Sequence, residues 1–244
     1  MGMRSLLAPL LLLSSPVLAG QAPLASRTVS VGSFDRIRVE GPFEVRVTIG
    51  SPRATIGGDP RVTEGVAVRV DGTTLSVRKG TGGWGEQPRG GSASGPVVVT
   101  LSTPALTSAS VAAGGRLTIA KMRGMRVDVT VSGNGSLALA AADTDQLNAT
   151  LIGTGQMTLA GRAARARLIT SGPGAIDASA LAVNDLTVHL DGVGETKAAA
   201  RYTAQVTNTG LGTVTITGNA KCRVDAAAGG PVVCGANGAG ASAP

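Results

Sequence analysis

Leu147-Asn148-Ala149-Thr150-Leu151-Ile152-Gly153-Thr154-Gly155-Gln156-Met157-Thr158-Leu159 is the stretch that decides how this chain folds. Small and apolar residues at 147, 149 and 151 alternate with Asn148 and Thr150, and after the glycines Met157 and Leu159 flank Thr158. Side chains of a strand point alternately to opposite faces, so period two on both sides of a turn means two strands with one shared inner face. Helical spacing is absent from the stretch.

The same unit recurs. Gly-x-Gly stands at Gly133-Asn134-Gly135, Gly153-Thr154-Gly155, Gly172-Pro173-Gly174, Gly192-Val193-Gly194 and Gly210-Leu211-Gly212, and the first glycines step by 20, 19, 20 and 18 residues. A degenerate copy, Ala113-Gly114-Gly115, precedes them. Val127, Val129 and Val131, then Ala166, Leu168 and Thr170, then Leu186, Val188 and Leu190 repeat the inward alternation before the turn. Leu137 and Leu139, Ile176 and Ala178, Val214 and Ile216 repeat it after the turn. A fixed period of this size is the signature of a solenoid. The expected fold is therefore all-β, a single-stranded parallel β-helix with 18-20-residue coils. Each coil should carry two short strands hinged at Gly-x-Gly, plus a tight third side of Ala-rich pieces such as 140–142 and 198–200. Glycine suits the hinge because a corner needs unusual backbone angles and because coils stack only about 4.8 Å apart.

Ahead of the coils, Ile37 to Ile49 and Val66 to Val77 read as strands, and Asp71-Gly72 makes a hairpin there, so an N-terminal β-hairpin region precedes the solenoid. Residues 80–96, rich in Gly and Ser, read as a flexible loop, and residues 236–244 as a disordered tail. Residues 1–19 combine Arg4, a short apolar run through Leu13 and the exit Val17-Leu18-Ala19. They read as a secretory signal peptide cleaved after Ala19, with Ala22 the alternative. Residues 20–32 form a leader and 33–235 the solenoid domain. No Cys follows the apolar run to take a lipid, and no later apolar stretch approaches the roughly 20 residues of a membrane helix. The expected location is periplasmic, extracellular or at the cell surface.

The net charge of +7 comes from scattered basic residues and reads mainly as solubility. Phe34, Phe43, Trp84 and Tyr202 are the only aromatics, which argues against nucleic acid and against a stacked sugar platform. Cys222 and Cys234, the only cysteines, read as a disulfide in an exported chain. With a single histidine, no metal site is expected.

His189 is the one candidate general base, and alternation places it outward beside Thr187 and Asp191, where it reads as a solvated surface residue. Down the coils, Asp191 aligns with Ser132, Ile152, Ser171 and Thr209, and Asp177 with Ala138, Thr158, Lys197 and Thr215, so no acidic column forms. Calcium-coil repeats are missing, and Gly-x-Gly-x-x-Gly is left incomplete at Ala138 and Lys197. The outward column Thr130, Thr150, Ile169, His189, Thr207 is too broken for an ordered-water ladder. No catalytic residue and no cofactor is assigned. Trp84, in its Gly-rich loop, is the candidate contact residue.

The chain resembles the head GIN domain family of putative auto-transporter adhesins. The resemblance is carried by Phe34-Asp35-Arg36-Ile37, Gly41-Pro42-Phe43-Glu44-Val45, Thr48-Ile49-Gly50, Gly72-Thr73-Thr74-Leu75-Ser76-Val77, the run Val97 to Leu106 and the train of Gly-x-Gly coils. It implies an exported, right-handed β-helix-like domain without established catalytic residues and a role in surface contact. The chain departs from the family in lacking Ser before several glycines, in its Trp84 loop and in its Cys pair. The functional expectation is a non-catalytic envelope or cell-surface module, adhesin-like or structural. Its partners would be an envelope glycan or envelope protein, and the solenoid ends could self-associate. The alternative is a β-helix enzyme or binding protein acting on anionic polysaccharide.

Overall fold

Alternation needs a partner surface, and in this chain the partner is the next coil. The computed structural model describes residues 26–58, 63–80 and 97–235. Along them run strands β1 (Ser26–Val29), β2 (Arg36–Glu40), β3 (Glu44–Ile49), β4 (Arg53–Gly57), β5 (Val66–Asp71), β6 (Thr74–Lys79), β7 (Val98–Thr103), β8 (Ser108–Ala112) and β9 (Arg116–Ile119). The long strands β10 (Met122–Ser132), β11 (Ser136–Ile152), β12 (Gln156–Ser171), β13 (Ala175–Asp191) and β14 (Glu195–Asn208) follow, then β15 (Thr213–Thr217), β16 (Lys221–Asp225) and β17 (Val232–Cys234). The result is an all-β solenoid of about six turns.

Coils stack in parallel register. On the face before each Gly-x-Gly corner, Val129, Ala149, Leu168, Val188 and Val206 lie side by side. On the face after it, Leu137, Met157, Ile176, Thr196 and Val214 do the same. These residues are all buried, so the sequence alternation marks the core correctly. Burying each Leu, Ile or Val of this kind contributes about 1.5–3 kcal/mol.

Several inward positions are polar, among them Thr170, Thr196 and Asn208. Thr170 takes the place held by Leu151 and Leu190 in adjacent coils, and Thr196 the place held by Ile176 and Val214. Both are fully buried and their hydroxyls share a 2.8 Å hydrogen bond. Each hydroxyl satisfies the other. Thr170→Val alone is expected to cost about 1–3 kcal/mol by orphaning the Thr196 hydroxyl, whereas Thr170→Val with Thr196→Val should fall close to wild type. Urea unfolding checks this, and a double variant as weak as the sum of the singles would refute the pairing.

The N-terminal region differs from the expected preliminary hairpin. The hairpin at Asp71-Gly72 is there, with Asp71 opposite Thr74. The single strand read from Ile37 to Ile49, however, is broken at Gly41 (φ +119) into β2 and β3, which together form a solenoid rung. That rung sits between two others. β2 pairs with β6 on one side and β8 on the other, and β3 with β7 and β9. The chain thus lays down the second rung first, builds the outer β6–β7 rung, and returns past β2–β3 to continue. The return is tied down where Thr103 donates its hydroxyl to the Phe34 carbonyl and the Thr107 N–H donates to the Asp35 carbonyl at 2.8 Å.

The third side also differs. Instead of two short strands per coil, β11 to β14 run through it without interruption and bend at register shifts such as that between Leu139 and Ala142. Ala142, Ala163, Val183 and Ala200 line its inside and keep it narrow.

The two ends are unlike. Antiparallel strands cover the first, β5 on β6, β4 on β7 and β1 on β4. At the other end β16 follows β14 and β17 follows β15 in parallel. There Cys222 and Cys234, one on each face, have Cα atoms 6.4 Å apart, within the reach of a disulfide.

Candidate functional site

Among the described residues the inward positions belong to the core, which leaves the outer faces and corners as places for chemistry. His189 stands half-buried on the outer side of β13 between Ile169 and Thr207 of the flanking coils, as its alignment predicts. Asp191 follows it in the column Ser132, Ile152, Ser171, and Thr209 donates to it at 3.4 Å. Asp177 is in register with Thr158 and Lys197. The hydroxyl and backbone N–H of Ser179 donate to it at 2.6 and 3.0 Å and hold its carboxyl below the usual carboxylate range. Each acid is therefore engaged locally by its own strand or the next one. Among the described residues no group of three metal-ligating side chains comes together, and no helix is long and apolar enough to cross a membrane. Trp84 and the loop 81–96 lie outside the described residues, as do residues 1–25 and the tail from 236.

The Gly-x-Gly corners stack into a ridge. At their first glycines, Gly133, Gly153, Gly172 and Gly192 all have positive φ. Their second glycines are set by crowding. A Cβ on Gly174 would lie 2.7 and 2.8 Å from the carbonyl oxygens of Gly155 and Gly153, and one on Gly155 only 2.8 Å from Val131. The residues between point outward, and Val193 and Leu211 are 64% and 68% exposed, which leaves a small apolar strip on the last two corners.

The sequence reading missed a groove along the third side. It has a volume of about 630 Å³ and is lined among others by Arg123, Met125, Asp143, Arg162, Asn184 and Arg201. Asp143 lies in register between Arg123 and Arg162. Arg162 Nε donates to Asp143 Oδ1 at 2.8 Å, while Arg123 Nε lies 4.0 Å from Oδ2. The Arg162 hydrogen bond holds the Asp143 carboxyl below its ordinary range, and the same bond raises Arg162. The Arg201 guanidinium sits over the Tyr202 ring at 5.4 Å. A signal was present: Arg123, Arg162 and Arg201 recur at intervals of 39 residues. That is two coils, so a search at the one-coil period meets Asp143 and Ala182 between them and sees only scatter.

The family model described as "Putative auto-transporter adhesin, head GIN domain" matches residues 33–220. A solved putative adhesin from Bacteroides fragilis is 20% identical, with a TM-score of 0.75, covering 87% of this chain and 96% of that one. A putative adhesin from Parabacteroides merdae is 15% identical, with a TM-score of 0.66 and coverage of 87% and 95%. A structure described as a putative lipid binding protein from Parabacteroides distasonis is 16% identical, with a TM-score of 0.68 and coverage of 86% and 96%. At these identities the likeness is one of fold. No curated protein matches the sequence.

Proposed function

Since the chain belongs to the putative auto-transporter adhesin, head GIN domain family, we propose that it is an exported, non-catalytic contact module of the cell envelope or surface. The solenoid is a rigid frame that presents its outer faces and loops to an envelope glycan or envelope protein. One observation carries the reading most: the ionisable side chains are spread along the outer faces and engaged locally, as Asp177 by Ser179, Glu195 by Lys197 and Asp143 by Arg162. A rigid display surface needs no more than this, because contact energy comes from complementary shape and a few anchors. Export is supported by the leader-like residues 1–19 and by two cysteines set at bonding distance.

The test is capture from bacterial envelope fractions and a glycan panel by the protein isolated after expression with its leader, compared with Trp84→Ala and repeated in high salt. The purified protein should begin at Gly20 by N-terminal sequencing. Capture that weakens in salt and on loss of Trp84 is the expected result. A protein that retains Met1, or that captures nothing, would sink the reading.

A further inference from the structure

We propose that the third-side groove binds a linear anionic glycan whose charges recur at the spacing of alternate coils. This inference rests on the contact-module reading and names a ligand class for it. Arg123 lies on β10, Arg162 on β12 and Arg201 on β14, so each is two rungs from the next and all three line one open groove. Rungs of a sheet are about 4.8 Å apart, so the strand positions of these arginines are about 9.6 Å apart along the solenoid axis, with the Arg123 and Arg162 side chains leaning toward Asp143 between them. A glycan with an acidic sugar at every second position has a repeat of that order. Arg201 is also displaced along its strand, since Ala182 pairs with Ala199, so the ligand runs obliquely across the coils.

The charges suit such a guest. Arg162 and Arg123 flank the carboxylate of Asp143, and Asp145 also lines the groove, so three guanidiniums stand against two carboxylates and leave a net positive charge. Among the described residues Arg201 has no carboxylate partner and rests on Tyr202 instead. The guanidiniums stay accessible, with the Arg123 and Arg162 side chains 69% and 76% exposed. A planar guanidinium offers paired donors to a carboxylate or sulfate, the geometry in which such contacts are strongest. Met125, 81% exposed, and Tyr202, 54% exposed, stand at the groove and beside it and offer apolar contact to sugar rings. A concave groove with its cations in line follows a strand-like polymer better than a flat bilayer. Nucleic acid would require stacking rings, and among the described residues Tyr202 is the one aromatic beside the groove.

The experiment measures binding of the mature protein to fluorescently labelled hyaluronan oligosaccharides, which carry one carboxylate per disaccharide. Neutral dextran and phosphatidylglycerol vesicles are the comparison probes. Hyaluronan should bind and dextran should not. Each single Arg→Ala change at 123, 162 or 201 should weaken binding about 10-fold, on the scale of one charge-assisted contact. The triple variant should abolish it, while Arg162→Lys should retain part of it. Arg36→Ala with Arg38→Ala, on another face, should leave it within about twofold. Unchanged binding by the triple variant, equal binding of dextran, or binding of vesicles alone would each overturn the assignment. Envelope capture retained by the triple variant would remove the groove and leave the contact reading intact, whereas capture lost in the wild type would remove that reading itself.

Discussion

Gly174→Ala is expected to destabilise the solenoid by about 3 kcal/mol, the upper end of the usual cost of overpacking. The new methyl would meet three atoms at once: the carbonyl oxygens of Gly155 and Gly153 at 2.7 and 2.8 Å and Leu151 at 2.8 Å. Two of the three are backbone in the coil below. Moving them means prying coils apart, which disturbs the hydrogen bonds from Gly174 N–H to the Gly153 carbonyl at 2.8 Å and from Ala175 N–H to the Gly155 carbonyl at 3.1 Å. Gly72→Ala is the control. Gly72 has φ +57, but a Cβ there meets nothing within 4 Å, so only the backbone preference is lost, about 1 kcal/mol. Urea unfolding followed by circular dichroism measures both. If the two variants lose similar stability, the close approach of coils is not what requires glycine at the second corner position.

Replacing both Cys222 and Cys234 with serine should cost about 3 kcal/mol, the loop-closure scale for a bridge across 12 residues. The loss should fall at the end of the solenoid. β16 and β17 form its last rung, and Cys222, Val224 and Val232 there are only partly buried. That rung nonetheless covers Ala204, Val206, Val214 and Ile216 of the rung before it. In a repeat array each coil is stabilised by its neighbours, so a terminal rung that frays exposes the next. Reductant added to the wild type should reproduce the melting temperature of the double variant. A melting curve indifferent to both would mean that the last rung holds without the bridge.

Much of the fold is legible because its determinants are local. Leu147, Ala149 and Leu151 declare an inner face by alternation alone. The glycine pairs repeat at the length of one coil, so the columns through Asp177 and Asp191 align on residue spacing alone. The first corner is harder to see. Gly41-Pro42 lacks the second glycine, and Ala113 adopts φ +55 where a glycine would advertise the bend. The candidate site is less legible than the scaffold, since outward residues obey no burial pattern and Trp84, singled out by its place in a Gly-rich loop, lies outside the described residues.

Strand over helix, the inner residues of each coil, the corner glycines and the candidate cysteine pair can all be read from the chain without its fold. These follow from periodicities that each short segment expresses on its own. That β6–β7 stacks outside β2–β3 is visible only in the folded chain, since strand order depends on which edges meet and not on which residue comes next. So, too, is the groove that Arg123, Arg162 and Arg201 share. Residues 39 apart become neighbours only when coils of 19 or 20 residues are laid on one another, and the bends of the third side set where along each strand they emerge.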